Sequence, residues 1–265
     1  MKPLFFGESE RQLYGVYHPG GGDRRPRDVG VLLCYPGMHE YNMTHWAFRK
    51  LAGLLSRAGF PVLRFDYRGT GDSTGRTGEG GIAAWVGDVR TAALELRDLS
   101  GARALSLVGM RLGGALALTA VNQGLEARDV VVWDPVVAGR DYLEELQNLD
   151  ASERLLRLYP QKASRAEPSS DVLGFPLPEA MRRELRAIAL ASPGALKLER
   201  LTIVASADVP GYRMLRDAVR ASGKAAEIVG LSQAPGRSAA GGHAAVLSSE
   251  PLSVIVESLT RGDRT

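Results

Sequence analysis

The chain has 265 residues, 45% of them hydrophobic and 24% charged, a composition that suits a core-forming globular protein of one large α/β domain or two small ones. Lys plus Arg number 33 against 30 Asp plus Glu, and a net charge of +3 is too weak to argue for a nucleic-acid partner. A single cysteine, Cys34, excludes an internal disulfide framework, and with no signal-like start or apolar run near the roughly 20 residues of a membrane span the expectation is cytoplasmic and soluble.

Leu4 to Glu8 and Leu13 to His18 are short, aromatic-rich and separated by a polar turn, which predicts an opening hairpin. Val29 to Tyr35 is a continuous apolar run, the pattern of a strand buried on both faces, and Pro36-Gly37 stops it. Phe48, Leu51, Ala52, Leu54 and Leu55 form a helical stripe over Trp46 to Ala58, and Phe60 to Tyr67 reads as the next strand. The alternation continues. Helices are expected over Ile82–Leu99, Leu112–Gln123, Gly211–Ser222 and Pro251–Leu259, with strands over Ala104–Met110, Asp129–Val137, Leu201–Ala207 and Ala226–Leu231. Such alternation predicts an α/β protein with a mostly parallel sheet of about eight strands, covered by helices on both faces. Residues 138–193 break the rhythm: they are polar, basic and helical, with no strand candidate. The expected organisation is a core of 1–137 and 194–265 with a cap insertion over 138–193.

Gly109-Met110-Arg111-Leu112-Gly113-Gly114 joins a strand directly to a helix. Glycines two before and two after the centre give a sharp turn its room, as at a nucleophile elbow, although a plain tight crossover fits the same residues. Gly71-Asp72-Ser73-Thr74-Gly75 also matches G-x-S-x-G, but no helix follows it, so it reads as a hydrogen-bonded loop. Cys34, inside an apolar strand, reads as a buried hydrophobe. His45, at the start of an amphipathic stretch, reads as structural, while His39 is a candidate for the pocket. No spacing of His, Cys and acidic residues suggests a metal site, and no dinucleotide fingerprint follows the first core strand, so no cofactor is expected.

The runs Leu32 to Asn42 and Ala58 to Ser73 together resemble the serine-aminopeptidase-like branch of the α/β hydrolases. Val132 to Leu143 is similar to bacterial hydrolases associated with exosortase systems and related gene-cluster hydrolases. The resemblance implies an α/β-hydrolase fold, a helical cap after the sixth core strand, and a triad of serine, acid and histidine in that chain order. Arg111 occupies the position of the family's serine; its guanidinium stays protonated and has no nucleophilic lone pair. By position His243 matches the catalytic histidine and Asp208 the acid, with Asp134 the competing acid. The backbone N–H groups of Met38 and Leu112 would form the oxyanion hole, and Gly37, His39 and Asp134 would line the pocket.

Three functions follow from these residues. The first is an enzyme without a covalent intermediate, with His243 as general base, Asp208 orienting it and Arg111 holding a carboxylate- or phosphate-bearing small molecule. The second is an inactive pseudo-hydrolase that binds a ligand or partner in a biosynthetic pathway. The third is ester, thioester or amide hydrolysis by a displaced nucleophile. Because Gly113 and Gly114 leave space beside it, the Arg111 fork is expected to point into an open cavity; the alternative is an internal pair, most simply with Asp208.

Overall fold

The computed structural model describes residues 1–21, 26–156, 171–190, 194, 196–232 and 249–261. The opening hairpin is β1 (Lys2–Phe6) and β2 (Leu13–His18), paired antiparallel with Phe6 opposite Leu13. The core then alternates: β3 (Val29–Cys34), α1 (His39–Arg57), β4 (Val62–Phe65), α2 (Ile82–Ser100), β5 (Ala104–Met110), α3 (Leu112–Asn122) and β6 (Ala127–Trp133). The insertion contributes α4 (Gly139–Leu156), β7 (Asp171–Val172), β8 (Phe175–Pro176) and α5 (Glu179–Arg186). β9 (Leu198–Ala205), α6 (Pro210–Ala221), β10 (Ala225–Gly230) and α7 (Glu250–Arg261) complete the core.

Eight strands form one sheet in the order β1-β2-β4-β3-β5-β6-β9-β10. β2 runs antiparallel to β1 and β4, and every other pairing is parallel. The central strand β3 is apolar throughout because helices cover both faces of the sheet: all six of its residues are buried. α3 is buried nearly all round, and its small residues, among them Gly113, Gly114, Ala115 and Ala117, let it lie close on the sheet and against α2.

Two expectations need correction. α1 begins at His39, seven residues before the predicted start, because its first two turns carry polar residues such as Glu40 and Asn42 that an apolar stripe does not reveal. The insertion also contains a small hairpin, β7 with β8, where no strand was expected; two-residue strands are too short to show a period. A bridge between Ala138 and Ala189 pins the two ends of the insertion together.

Candidate active site

Parallel strands end along one edge of the sheet, and the register puts Cys34 beside Gly109 and Met110 beside Trp133. The loops after β3, β5 and β6 therefore meet there. Arg111 sits between β5 and α3 with φ 50° and ψ −121°. A non-glycine residue in so sparsely populated a backbone region costs about 1–3 kcal/mol, and hydrogen bonds hold it there. Its N–H donates to the Trp133 carbonyl at 3.0 Å, and its own carbonyl accepts from Gly114 at 3.1 Å and Val136 at 3.2 Å. The flanking glycines are sterically required: a Cβ on Gly109 would lie 2.5 Å from the Gly113 carbonyl oxygen, and one on Gly113 would strike the carbonyls of Cys34 and Tyr35. This is the strained strand-to-helix turn of an elbow, with Arg111 as the presented residue.

The Arg111 fork is not open. Nε donates to Glu40 Oε1 at 2.9 Å and Nη2 to Glu145 Oε2 at 2.7 Å. Tyr142 Oη donates to the other Glu40 oxygen at 3.0 Å, and the guanidinium carbon stands 5.3 Å from the centre of the Tyr142 ring. The Arg111 and Glu40 side chains are 18% and 14% exposed, whereas Glu145 is 52% exposed. Burial works against the Arg111 cation, but Glu40 and then Glu145 outweigh it and raise its pKa. Glu40 comes from the first turn of α1 and Glu145 and Tyr142 from α4, so the elbow, the core and the insertion meet in one cluster.

The expected internal partner, Asp208, is elsewhere. It follows β9 on the surface, where both carboxylate oxygens accept from Arg213 Nη1 at 2.5 and 2.6 Å and 75% of the side chain is exposed. Asp134, the competing acid, follows β6 at φ 43° and accepts from the Ser206 N–H at 2.8 Å. Burial pushes its carboxyl up, opposed by the Ser206 hydrogen bonds and by the charge of Arg111. Met38 caps α1 at φ 57° just beyond β3, and Leu112 is the first residue of α3, so both expected amides lie at the elbow edge, as does Gly37. His39 begins α1 beside Glu40; burial lowers its pKa, and among the described residues its buried Nδ1 has no hydrogen-bond partner. His243 lies outside the described residues.

The other candidates are engaged in local packing or hydrogen bonds. Ser73 Oγ donates to the Asp66 carbonyl at 2.6 Å and accepts from the Tyr14 N–H at 2.8 Å, tying its loop to β2. Burial pushes the Cys34 thiol up to about 12, so it carries no thiolate at neutral pH. The His45 ring stacks on Tyr35 with centroids 5.8 Å apart. Among the described residues no helix is long and apolar enough to cross a membrane, and no group of three or more His, Cys, Asp or Glu is placed to hold a metal ion.

Glu40, Glu145 and Tyr142 escaped the sequence reading. The one available signal was Tyr142 and Glu145 three residues apart, on one face of a predicted helix next to the resembling run.

This strand order, with an elbow after the fifth strand and an insertion after the sixth, defines an α/β-hydrolase fold. Solved structures agree: a mouse alpha/beta hydrolase domain-containing protein 10 superimposes with a TM-score of 0.62 at 17% identity, covering 98% of both chains. An esterase of Pyrococcus furiosus gives 0.65 at 15% identity, over 98% of this chain and 90% of that one. A proline iminopeptidase of Mycobacterium smegmatis gives 0.63 at 13% identity, over 99% of each. The family model described as "Serine aminopeptidase, S33" matches residues 27–190, and the chain belongs to that family. No curated protein matches the sequence.

Proposed function

We propose that this protein is a non-hydrolysing member of its family that binds a small ligand or a protein partner in the cytoplasm. The observation that carries the reading is the cation at the elbow, with its Nε held by Glu40 and its Nη2 by Glu145. An arginine cannot form an acyl-enzyme, and here it fills the space above the elbow where a substrate carbonyl would approach an activated hydroxyl. Met38 and Leu112 would then serve as the remains of an oxyanion hole. A carboxylate- or phosphate-bearing ligand would enter by displacing Glu145, the half-exposed partner, while Glu40 stays in place. The likeness of Val132 to Leu143 to exosortase-associated and gene-cluster hydrolases supports a role in a biosynthetic pathway.

The test is reactivity towards a fluorophosphonate probe and a panel of p-nitrophenyl esters. The expected result is neither labelling nor turnover in wild type. Labelling at Ser73, or ester turnover abolished by His243→Ala, would overturn the proposal.

One observation favours a second reading, an enzyme working by general-base chemistry. Asp134 is a desolvated carboxyl that feels the charge of Arg111 at the edge where Gly37 and His39 also lie. In that reading His243 takes a proton, Asp208 or Asp134 orients it, and Arg111 holds the anionic end of the substrate. Turnover that survives fluorophosphonate treatment and falls in both Asp134→Asn and His243→Ala would select it.

A further inference from the structure

Away from the elbow, a polar cavity of about 170 Å³ opens between α1 and the neighbouring strands β2 and β4. Its polar lining is Tyr14, Tyr41, His45, Arg64, Asp66 and Asp72. Arg64 stands on β4 opposite Val16 of β2 and is 9% exposed. Its guanidinium has two partners, His18 Nε2 at 3.4 Å from Nε and Tyr35 Oη at 3.3 Å from Nη1. Both are neutral at physiological pH. Burial and the Arg64 charge hold His18 down at about 4, and burial pushes Tyr35 up to about 12. Among the described residues no carboxylate makes an ion pair with Arg64. A cation this buried needs an anion to offset its lost hydration.

Asp66 does not supply it. One of its oxygens accepts from Tyr41 Oη at 2.6 Å and the other from the Asp72 N–H at 3.1 Å. Asp72 itself is exposed at the mouth, and its carboxylate has no partner among the described residues. The cavity thus carries an unmatched buried cation and an unmatched carboxylate. Its volume is below the roughly 300 Å³ where sites for drug-sized ligands begin, which excludes a nucleotide or peptide.

We propose that this cavity binds a small zwitterion of the free α-amino acid class, with its carboxylate on Arg64 and its ammonium between Asp66 and Asp72. His45 and Tyr41 close the walls around a short side chain. The site is separate from the elbow and stands whether or not the chain is catalytic.

Isothermal titration calorimetry with L-alanine, acetate and ethylamine tests it. L-Alanine should bind more tightly than acetate or ethylamine. Arg64→Gln should weaken L-alanine about tenfold or more, the loss expected when a charge-assisted pair in a desolvated site is broken. Asp72→Asn, an exposed change that leaves the fold intact, should weaken L-alanine about threefold and leave acetate unchanged. If Arg64→Gln does not fold, Asp72→Asn decides alone. No saturable L-alanine binding to wild type, equal affinity for acetate and L-alanine, or L-alanine binding unchanged in Asp72→Asn would each overturn the proposal.

Discussion

Replacing Glu40 by glutamine keeps the shape at the elbow but removes the more buried of the two negative charges on Arg111. Breaking a fully buried ion pair at one partner costs about 3–5 kcal/mol, because the other charge is left desolvated. Arg111 is 18% exposed and Glu40 14%, and Glu145 remains at 2.7 Å after the change. We therefore expect a loss of about 2–3 kcal/mol, below the range for a fully stranded cation. Glu145 is 52% exposed, so Glu145→Gln should cost about 0.5 kcal/mol, as surface pairs do. In a domain of this size about 1 kcal/mol moves Tm by roughly 2–4 °C, so Glu40→Gln should melt about 4–12 °C lower and Glu145→Gln about 1–2 °C lower. The double variant should cost more than the sum, since only then does the guanidinium lose both carboxylates that hydrogen-bond to it. Thermal and urea unfolding followed by circular dichroism measure all three. If Glu145→Gln costs as much as Glu40→Gln, or the double variant is simply additive, the clasp is not organised by burial and the reasoning fails.

Ser73→Ala removes one donor and one acceptor from a buried loop and should cost about 1–3 kcal/mol in urea unfolding, leaving fluorophosphonate reactivity unchanged. Gly113→Ala should give little folded protein on expression, because its Cβ would meet two backbone carbonyls that cannot move aside. His18 titrates near 6.5 when unfolded and near 4 when folded, so the unfolded chain takes a proton that the native state refuses. Stability is therefore lost as pH falls from about 6.5 towards 4, and His18→Gln should flatten that loss in urea midpoints measured across the range.

The fold could be read from the chain because buried parallel strands leave an unmistakable trace: Val29 to Cys34 has no polar side chain to place. The elbow was legible for a different reason. Only glycine can stand at 109 and 113, so the spacing carries the geometry even with arginine at its centre. Its partners were not legible. Glu40 and Glu145 lie 71 and 34 residues from Arg111, and nothing local separates them from any solvated carboxylate on a helix. Asp208 misled as a partner because its position matches the family acid, while Arg213, five residues on, holds it at the surface. The expectation of an open fork weighed the space left by Gly113 and Gly114. The anion that meets the cation there is not a ligand but the carboxylates of Glu40 and Glu145.

The Ala138–Ala189 bridge has a consequence for how such a chain can change over time. Bridged residues sit about 5 Å apart, so the whole insertion leaves and rejoins the core through a gap no wider than a tight turn. The register of β6 against β9, with Val131 opposite Thr202, is set by strand pairing that lies wholly outside that gap. The insertion is in that sense a replaceable module, and its attachment to the elbow through Glu145 and Tyr142 is a feature each new version must reinvent or discard.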